Sequence, residues 1–239
     1  MNIKEPVTAS APRRSAIVDG ATAAWPICFG YLPIGIAFGV LAQKAGLSLA
    51  QIGLMSFLVF AGSSQFIAVS LMASGASTGT IIATTFMVNL RHLLMSSALS
   101  VFLKSTSRTK LSLFAYGVTD ESFAVNVARF GDGGWDIDRG LALNQSANLA
   151  WIGATLAGGL GGRFIPAHSF GIDYALIAMF ICLLVFQLKG KIYVLTACIA
   201  GGLAVAFSMI LPGNAYIVLA SVLGAGLGAV IRRRAWRVR

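Results

Sequence analysis

Eight long apolar runs occupy most of the 239-residue chain, and they constrain its fold more than any other feature. They lie at about 17–42, 49–73, 80–103, 111–128, 141–165, 172–188, 192–211 and 214–231. A helix needs about 20 apolar residues to cross a bilayer, so most of these runs are long enough. Only 11% of the residues are charged and 57% are hydrophobic, which excludes an ordinary soluble domain. The sequence predicts an all-α integral membrane protein, a single transmembrane domain over 1–239 with seven or eight transmembrane helices, the fourth run being the doubtful one.

The positive charges predict how the chain is oriented in the membrane. The formal net charge is +10, and most of the Lys and Arg residues lie between the apolar runs or at the two ends of the chain. If all eight runs cross, both ends share the side richer in Lys and Arg, which is the cytoplasmic side. We therefore expect a polar cytoplasmic tail at 1–16 and a basic cytoplasmic tail at 232–239. The expected partner of these charges is the lipid bilayer, not nucleic acid.

Two of the runs contain residues that can interrupt a helix. The first run holds Pro26 and Pro33, and the second holds GSSQ at 62–65. Lipid cannot satisfy freed backbone N–H and C=O groups, so a break at this depth is buried in protein or lines a cavity. Transporters use such broken helices, often within inverted repeats, to hold polar substrates near the middle of the membrane. The alternative is that these residues only kink the helices or let them pack closely.

The third run carries three polar side chains close together, Asn89, Arg91 and His92. An ionisable side chain inside a membrane is costly, and it usually marks a pathway or a buried pair. Asn89 and His92 are one helical turn apart and share a face, whereas Arg91 lies on a different face. We expect Asn89 and His92 to point into the bundle and Arg91 to pair with an acid on the fourth run.

The fourth run contains two adjacent carboxylates, Asp120 and Glu121. Adjacent side chains on a helix diverge by about 100°, so these two are not expected to form a carboxylate dyad. One can neutralise Arg91 while the other faces a cavity and carries a proton. The alternative is that the segment ends at the membrane surface and that water solvates both acids.

The fifth run contains a polar and aromatic stripe formed by Asn144, Asn148, Trp151 and Thr155. Their spacing places all four on one face of a helix, as the wall of a cavity requires. Hydrogen bonds between helices would produce the same stripe without any ligand.

Several motifs of catalysis are absent from the sequence. It contains no G-x-x-x-x-G-K-[ST] loop, no H-E-x-x-H motif, and no Cys/His set with metal-ligand spacing. We therefore expect no enzyme activity, no catalytic residue, no metal site and no cofactor. An ion or substrate gradient would supply the energy for any transport.

Six motifs in this order resemble the AzlC family of branched-chain amino acid permeases. They are GYLPIGIAFGVLAQKAGLS, MSFLVFAGSSQF, VNLRHLLMSSALS, VTDESFAV, a Trp followed by GATLAGGLGG, and GIDYALIAMF. The resemblance extends from about Asp19 to Phe186. It implies the large subunit of a two-component exporter of valine, leucine and isoleucine, paired with a small AzlD-type membrane subunit. It also implies secondary transport across the cytoplasmic (inner) membrane of a bacterium.

The polar clusters and the resemblance together predict how an amino-acid zwitterion would bind. Helix amides near the second-run break would hold its carboxylate, asparagine oxygens would accept from its ammonium, and Phe60 and Phe66 would line an apolar pocket. The expected substrate-binding residues are Gly62, Ser63, Ser64, Gln65, Asn89, His92, Asn144, Asn148 and Trp151. The expected ion-coupling or charge-pair residues are Arg91, Asp120 and Glu121. The alternative function is a passive channel or pore for a small polar solute.

Overall fold

The computed structural model describes residues 13–104, 106–162, 190–210 and 215–237, and the single positions 164, 181, 185 and 188. The apolar run at 172–188, apart from single positions, and residues 1–12 of the expected N-terminal tail lie outside the described residues. The described chain is helical and contains no strand. Its helices are α1 (Arg13–Lys44), α2 (Leu49–Leu58), α3 (Gly62–Ala73), α4 (Thr78–Leu99), α5 (Arg108–Tyr116), α6 (Asp120–Asp132), α7 (Ile137–Gly161), α8 (Lys191–Ser208) and α9 (Ala215–Arg237). Helix α9 includes residues 232–237 of the expected basic tail.

Helices α1 and α7 form a tightly packed parallel pair. Near their starts Gly20 of α1 lies against Leu143 of α7, and near their ends Gly39 lies against Gly159. A β-carbon at Gly39 or Gly158 would collide with the backbone of the other helix, so glycine is required at this crossing. We call the end at which α1 and α7 begin the basal end, and the opposite end the apical end.

Helix α1 is continuous through both of its prolines, so of the two alternatives for this run the one without a break holds. Each proline removes one backbone N–H from the helical ladder. A membrane helix tolerates this loss where a neighbouring helix packs against it. Such packing is present two residues after Pro33, where Gly35 lies against Ala154 of α7.

Helix α4 runs in the opposite direction, from the apical to the basal end. Its last residue, Leu99, lies in a buried cluster with Leu103, against which Ile137 packs, and Ile137 is the first residue of α7. The 22 residues of α4 make a helix about 33 Å long. Its first residue, Thr78, therefore lies at the apical end.

The second apolar run, 49–73, folds into two half-length helices that we call the apical hairpin. α2 begins at the apical end beside Gly159, and after a break at 59–61 the chain meets Trp151, about two turns nearer the basal end. α3 then ends at Ala73, shortly before α4 begins at the apical end. The chain thus returns to the end from which it came, so the expected interruption of this run is present and its expected crossing is not.

The fourth apolar run, 111–128, lies in a second such unit at 108–132, which we call the basal hairpin. α5 begins beside the start of α7, where Nζ of Lys110 lies 2.6 Å from Oδ1 of Asp138. A break at 117–119 reaches the level of Asn144, and α6 then leads directly back to the start of α7. The doubtful fourth run therefore turns back as well.

One long helix followed by a half-length hairpin occurs twice along the chain, in opposite directions. α1 points to the apical end and is followed by the apical hairpin, whereas α4 points to the basal end and is followed by the basal hairpin. The two hairpins therefore approach each other from opposite ends of the bundle. Their breaks bring irregular backbone to the middle, where α4 and α7 contact it.

Helices α8 and α9 form an antiparallel pair. Gly224 and Gly228 of α9 lie against Ala200 and Thr196 of α8, so small residues set the close approach of the two helices. α9 also contacts α4.

Two helices of the described residues are both long enough and apolar enough to cross a membrane, α1 from Ser15 to Lys44 and α8. The predicted total of seven or eight spans is therefore not confirmed. Large apolar side chains nevertheless face outward, among them Trp25, Phe29 and Leu94, with exposed fractions of 69, 70 and 70%. An outer surface of this kind suits contact with lipid.

Candidate functional site

The tips of the two hairpins meet in the middle of the bundle. The Tyr116 hydroxyl, at the end of α5, donates a hydrogen bond to the carbonyl of Phe57 at the end of α2. The ring of Phe60, in the apical break, lies 6.3 Å from the ring of Tyr116 and 6.4 Å from that of Tyr31. Aromatic contacts therefore close the junction on the side that faces α1.

The apical tip presents an uncapped helix start. α3 begins at Gly62, and Ala61 before it makes no side-chain hydrogen bond to the helix. The first N–H groups of a helix have no acceptor within that helix, and they carry the positive end of its dipole. Phe60 has a φ of 36°, which is unusual for a residue with a side chain and allows the sharp change of direction. The first turn of α3 thus offers hydrogen-bond donors.

The basal tip presents a capped and acidic helix start. Thr119 and Ser122 form a capping box, with Thr119 Oγ1 accepting from the N–H of Ser122. Asp120 and Glu121 occupy the first turn, where negative charge is favourable. The first turn of α6 thus offers hydrogen-bond acceptors.

The middle of α4 contacts both tips. Toward the apical tip, Ser64 donates to Oδ1 of Asn89 over 2.5 Å. Toward the basal tip, Nδ1 of His92 lies 2.7 Å from the carbonyl of Val118. A carbonyl can only accept, so Nδ1 carries a hydrogen, and in the neutral ring the other nitrogen, Nε2, is an acceptor. In the described part of the protein, that buried Nε2 has no hydrogen-bond partner.

Arg91 joins the two tips through one guanidinium group. Nη1 lies 2.6 Å from Oδ2 of Asp120, and Nη2 donates to Oγ of Ser63. Arg91 is thus paired with an acid of the fourth run. Its Nε is buried, and the described residues provide no hydrogen-bond partner for it. The side chains of Arg91 and Asp120 are 28% and 36% exposed, so the pair is open on one side.

Tyr31 of α1 holds the second carboxylate of the basal tip. Its hydroxyl donates to Oε2 of Glu121 over 2.8 Å and lies 2.8 Å from Oγ1 of Thr119. The ring is buried and packs edge-on against Trp151, with a centroid distance of 5.3 Å. Sequence reasoning missed this residue, because one tyrosine in an apolar run gives no signal beyond its hydroxyl.

The polar stripe of α7 is buried, and each of its members is hydrogen-bonded within the protein. Asn144 donates to the Phe114 carbonyl, Asn148 to Tyr116, Trp151 to Gln65, and Thr155 to Ser56. Hydrogen bonds between helices therefore account for the stripe in this conformation.

Gln65 and Asn144 use both polar atoms of their side-chain amides in these bonds. Nε2 of Gln65 donates to Ser56, and Oε1 accepts from Trp151. Oδ1 of Asn144 accepts from Asn126, which sequence reasoning also missed. In this conformation the hairpins are thus held against α7 by the hydrogen bonds of Gln65, Asn144, Asn148 and Trp151. Gly62, Ser63, Ser64, Asn89, Arg91, His92, Asp120 and Glu121 lie at the junction itself.

The titratable side chains of the junction do not form a metal site. In the ranges that the structure describes, no group of three or more His, Cys, Asp and Glu side chains is arranged to hold a metal ion. The arrangement instead offers donors on one tip, acceptors on the other and a cation between them.

Known proteins resemble this chain over most of its length. The family model described as AzlC protein matches residues 26–165. The branched-chain amino acid transport protein AzlC of Bacillus subtilis is 31% identical over 212 residues, which cover 87% of this chain and 82% of that protein. The inner membrane protein YgaZ of Escherichia coli is 28% identical over 239 residues and 96% of each chain. An uncharacterised membrane protein of Archaeoglobus fulgidus is 32% identical over 210 residues, which cover 86% of this chain and 90% of that protein.

No solved structure matches the chain. The family match and the extent of the relatives confirm the resemblance seen in the six sequence motifs. The chain belongs to the AzlC family of membrane proteins.

Proposed function

We propose that the chain is the large subunit of a two-component permease that exports branched-chain amino acids across a bacterial cytoplasmic membrane. The observation that carries the proposal is the meeting of two half-length hairpins, one rich in donors and one in acceptors, at the middle of the bundle. Transporters place substrates between broken helices in this way. The B. subtilis relative is named for transport of the same class of substrate.

The chemistry of the junction fits an amino-acid zwitterion. The carboxylate of the ligand accepts hydrogen bonds from the backbone amides in the first turn of α3, which begins at Gly62. The ammonium donates hydrogen bonds to the side-chain oxygen of Asn89 and to the acidic first turn of α6. The branched side chain lies next to Phe60, on the aromatic side of the junction.

Glu121, rather than Asp120, is the residue that couples transport to a proton gradient. Asp120 is neutralised by Arg91 at 2.6 Å. Glu121 is exposed and receives a hydrogen bond from a neutral phenol, and the described residues include no cation within ion-pair distance of it. A proton can therefore reach Glu121 without first breaking an ion pair.

The two units of one long helix and one hairpin act as inverted repeats around the junction. α1 with the apical hairpin and α4 with the basal hairpin have the same element order and opposite directions. Movement of one repeat against the other would open the junction to one side at a time. The whole chain, 1–239, then forms one transporter domain with both termini in the cytoplasm, and a small AzlD-type subunit completes the permease.

The proposal is tested by following labelled leucine in proteoliposomes that contain the chain with and without a candidate small subunit. We expect saturable uptake, counterflow against unlabelled valine, and acceleration by an imposed proton gradient. A passive pore would instead give unsaturable flux without counterflow. Lack of any branched-chain amino acid movement, in a complex shown to be folded, would contradict the proposed substrate.

A further inference from the structure

The ion pair of Arg91 with Asp120 lies where the two hairpin tips meet, and a dipolar ligand can insert between its two charges. We propose that an amino-acid zwitterion binds between Arg91 and Asp120, its carboxylate taking the guanidinium and its ammonium taking the Asp120 carboxylate. The inference rests on the proposed function, and it goes beyond it by making Arg91 and Asp120 the residues that hold the two charged ends of the ligand and select for it.

Arg91 makes fewer hydrogen bonds in the structure than its guanidinium group can donate. A guanidinium has five N–H groups, and it binds a carboxylate best through two parallel hydrogen bonds. Asp120 receives one contact, from Nη1, while Nη2 is turned to the hydroxyl of Ser63. Nε is buried, and no partner for it occurs in the described part of the chain. A ligand carboxylate would satisfy the fork better than this set of partners does.

The pair is also accessible to a ligand. Its side chains are 28% and 36% exposed, so water reaches both charged groups and the pair contributes less than a fully buried one would. Asp120 lies in the first turn of α6, whose positive helix start still favours its charge when Arg91 leaves. Arg91 likewise faces the first turn of α3 through Ser63, so a carboxylate placed there gains helix amides as well.

Insertion keeps every charge paired, and this gives the site its selectivity. A zwitterion replaces one ion pair by two, with Arg91 and Asp120 each retaining an opposite charge. A ligand with only an ammonium leaves Arg91 without an anion, and a ligand with only a carboxylate leaves Asp120 without a cation. An unpaired charge at a partly buried site is costly, so both kinds of ligand are rejected.

The test uses wild-type protein and four ligands of nearly equal shape: leucine, leucinamide, isoamylamine and 4-methylpentanoate. Each competes with labelled leucine for counterflow in proteoliposomes, and each is tested for thermal stabilisation of the purified protein. We expect each of the three analogues to compete at least about tenfold more weakly than leucine, since a site built for a polar group rejects ligands that lack it. Competition by leucinamide or isoamylamine within about threefold of leucine would overturn the inference and leave leucine transport standing.

A pair of matched variants tests the role of Arg91 separately. Arg91→Lys keeps the charge and removes the forked guanidinium group. Arg129→Lys makes the same change in the basal hairpin, at an arginine that packs over Trp135. We expect Arg91→Lys to weaken leucine competition about tenfold and Arg129→Lys to leave it unchanged. Equal affinities for leucine in the two variants would contradict the inference.

Failure of the proposed function has a different signature. If the wild-type protein gives no leucine counterflow, thermal stabilisation is measured with each of the common amino acids and with its amide. Stabilisation by any amino acid, but not by its amide, supports insertion and reassigns the substrate. Stabilisation by none of them overturns the inference.

Discussion

The apical and basal hairpins share one architecture and differ in the chemistry of their tips. Each has a break of three residues, and in each a glycine of the tip lies against α7, Gly62 on Trp151 and Gly117 on Asn144. The second helix of the apical hairpin starts uncapped and neutral, whereas that of the basal hairpin starts capped and acidic. The same backbone device therefore yields a donor tip and an acceptor tip. Their meeting suits a ligand that carries both charges.

The largest expected effect comes from breaking the link between the tips. Arg91→Asp places two carboxylates together, and we expect it to lower the free energy of unfolding by about 2–3 kcal/mol. The double variant Arg91→Asp with Asp120→Arg should recover at least half of that loss. Thermal unfolding in detergent measures both.

A second swap, Arg91→Asp with Glu121→Arg, serves as the control. Glu121 is held by Tyr31 and not by Arg91, so this swap should recover less. Equal recovery by the two swaps would show that Arg91 has no preferred partner on the basal tip.

The tip glycines provide the next largest effect, and they separate the hairpins. A β-carbon at Gly117 would lie 2.6 Å from Cβ of Asn144, whereas one at Gly62 would lie 3.1 Å from the ring of Trp151. We expect Gly117→Ala to cost about 1–3 kcal/mol, as overpacking does, and Gly62→Ala to cost less. Thermal unfolding of the two variants measures the difference. A more damaging Gly62→Ala would mean that the apical tip is packed more tightly than the basal tip.

Exchanging the caps changes the two tips in opposite directions. Thr119→Ala removes the cap of α6 and should cost about 1 kcal/mol. Ala61→Ser gives α3 a cap, which should add up to about 1 kcal/mol of stability while its hydroxyl occupies amides needed by the ligand. We therefore expect Ala61→Ser to be more stable and to show weaker leucine counterflow. Unchanged counterflow in a stabilised Ala61→Ser protein would remove the α3 amides from the ligand site.

The smallest expected effect concerns the phenol that holds Glu121. Tyr31→Phe removes one hydrogen bond to a carboxylate that remains exposed, so the stability loss should be about 0.5–1 kcal/mol. Gradient-driven leucine movement should fall more than counterflow, because only the former requires Glu121 to exchange its proton. Tyr193→Phe, at an exposed tyrosine of α8, is the matched control and should change neither. Equal loss of both transport modes in Tyr31→Phe would assign the phenol to folding alone.

The polar groups of the junction could be predicted from sequence, because ionisable residues in apolar runs have few permissible places. The spacing predicted that Asn89 and His92 share one helix face and that Arg91 lies on another, and the only acids in a nearby apolar run were Asp120 and Glu121. The partners of Arg91 and His92 lie on that fourth run. Which of the two acids pairs with Arg91 depends on how α6 is rotated about its own axis, and sequence periodicity does not predict that rotation.

The direction of the chain could not be predicted from hydropathy. The run at 49–73 has spanning length, but length does not show whether the chain continues or turns back at 59–61. Proline did not mark the break, since α1 passes through Pro33 intact, while the apical hairpin breaks at Phe60, two residues before Gly62. Gln65 bonds to Ser56, 9 residues away across the break, and to Trp151, 86 residues away, and only the packing of the hairpin against α7 brings the three side chains together.

The central claim, that the hairpins enter from opposite ends and both turn back, is tested most directly by labelling single cysteines from each side of the membrane. In a background lacking Cys28, Cys182 and Cys198, the exposed positions Ala50 and Ala73 flank the apical hairpin, and Lys104 and Asp132 flank the basal hairpin. Each is replaced by Cys and labelled with a membrane-impermeant maleimide in intact cells and in inverted vesicles. The account predicts that Ala50→Cys and Ala73→Cys react from one side, and that Lys104→Cys and Asp132→Cys react from the other. Labelling of the two members of either pair from opposite sides would show that the hairpin crosses the membrane, and it would contradict the account.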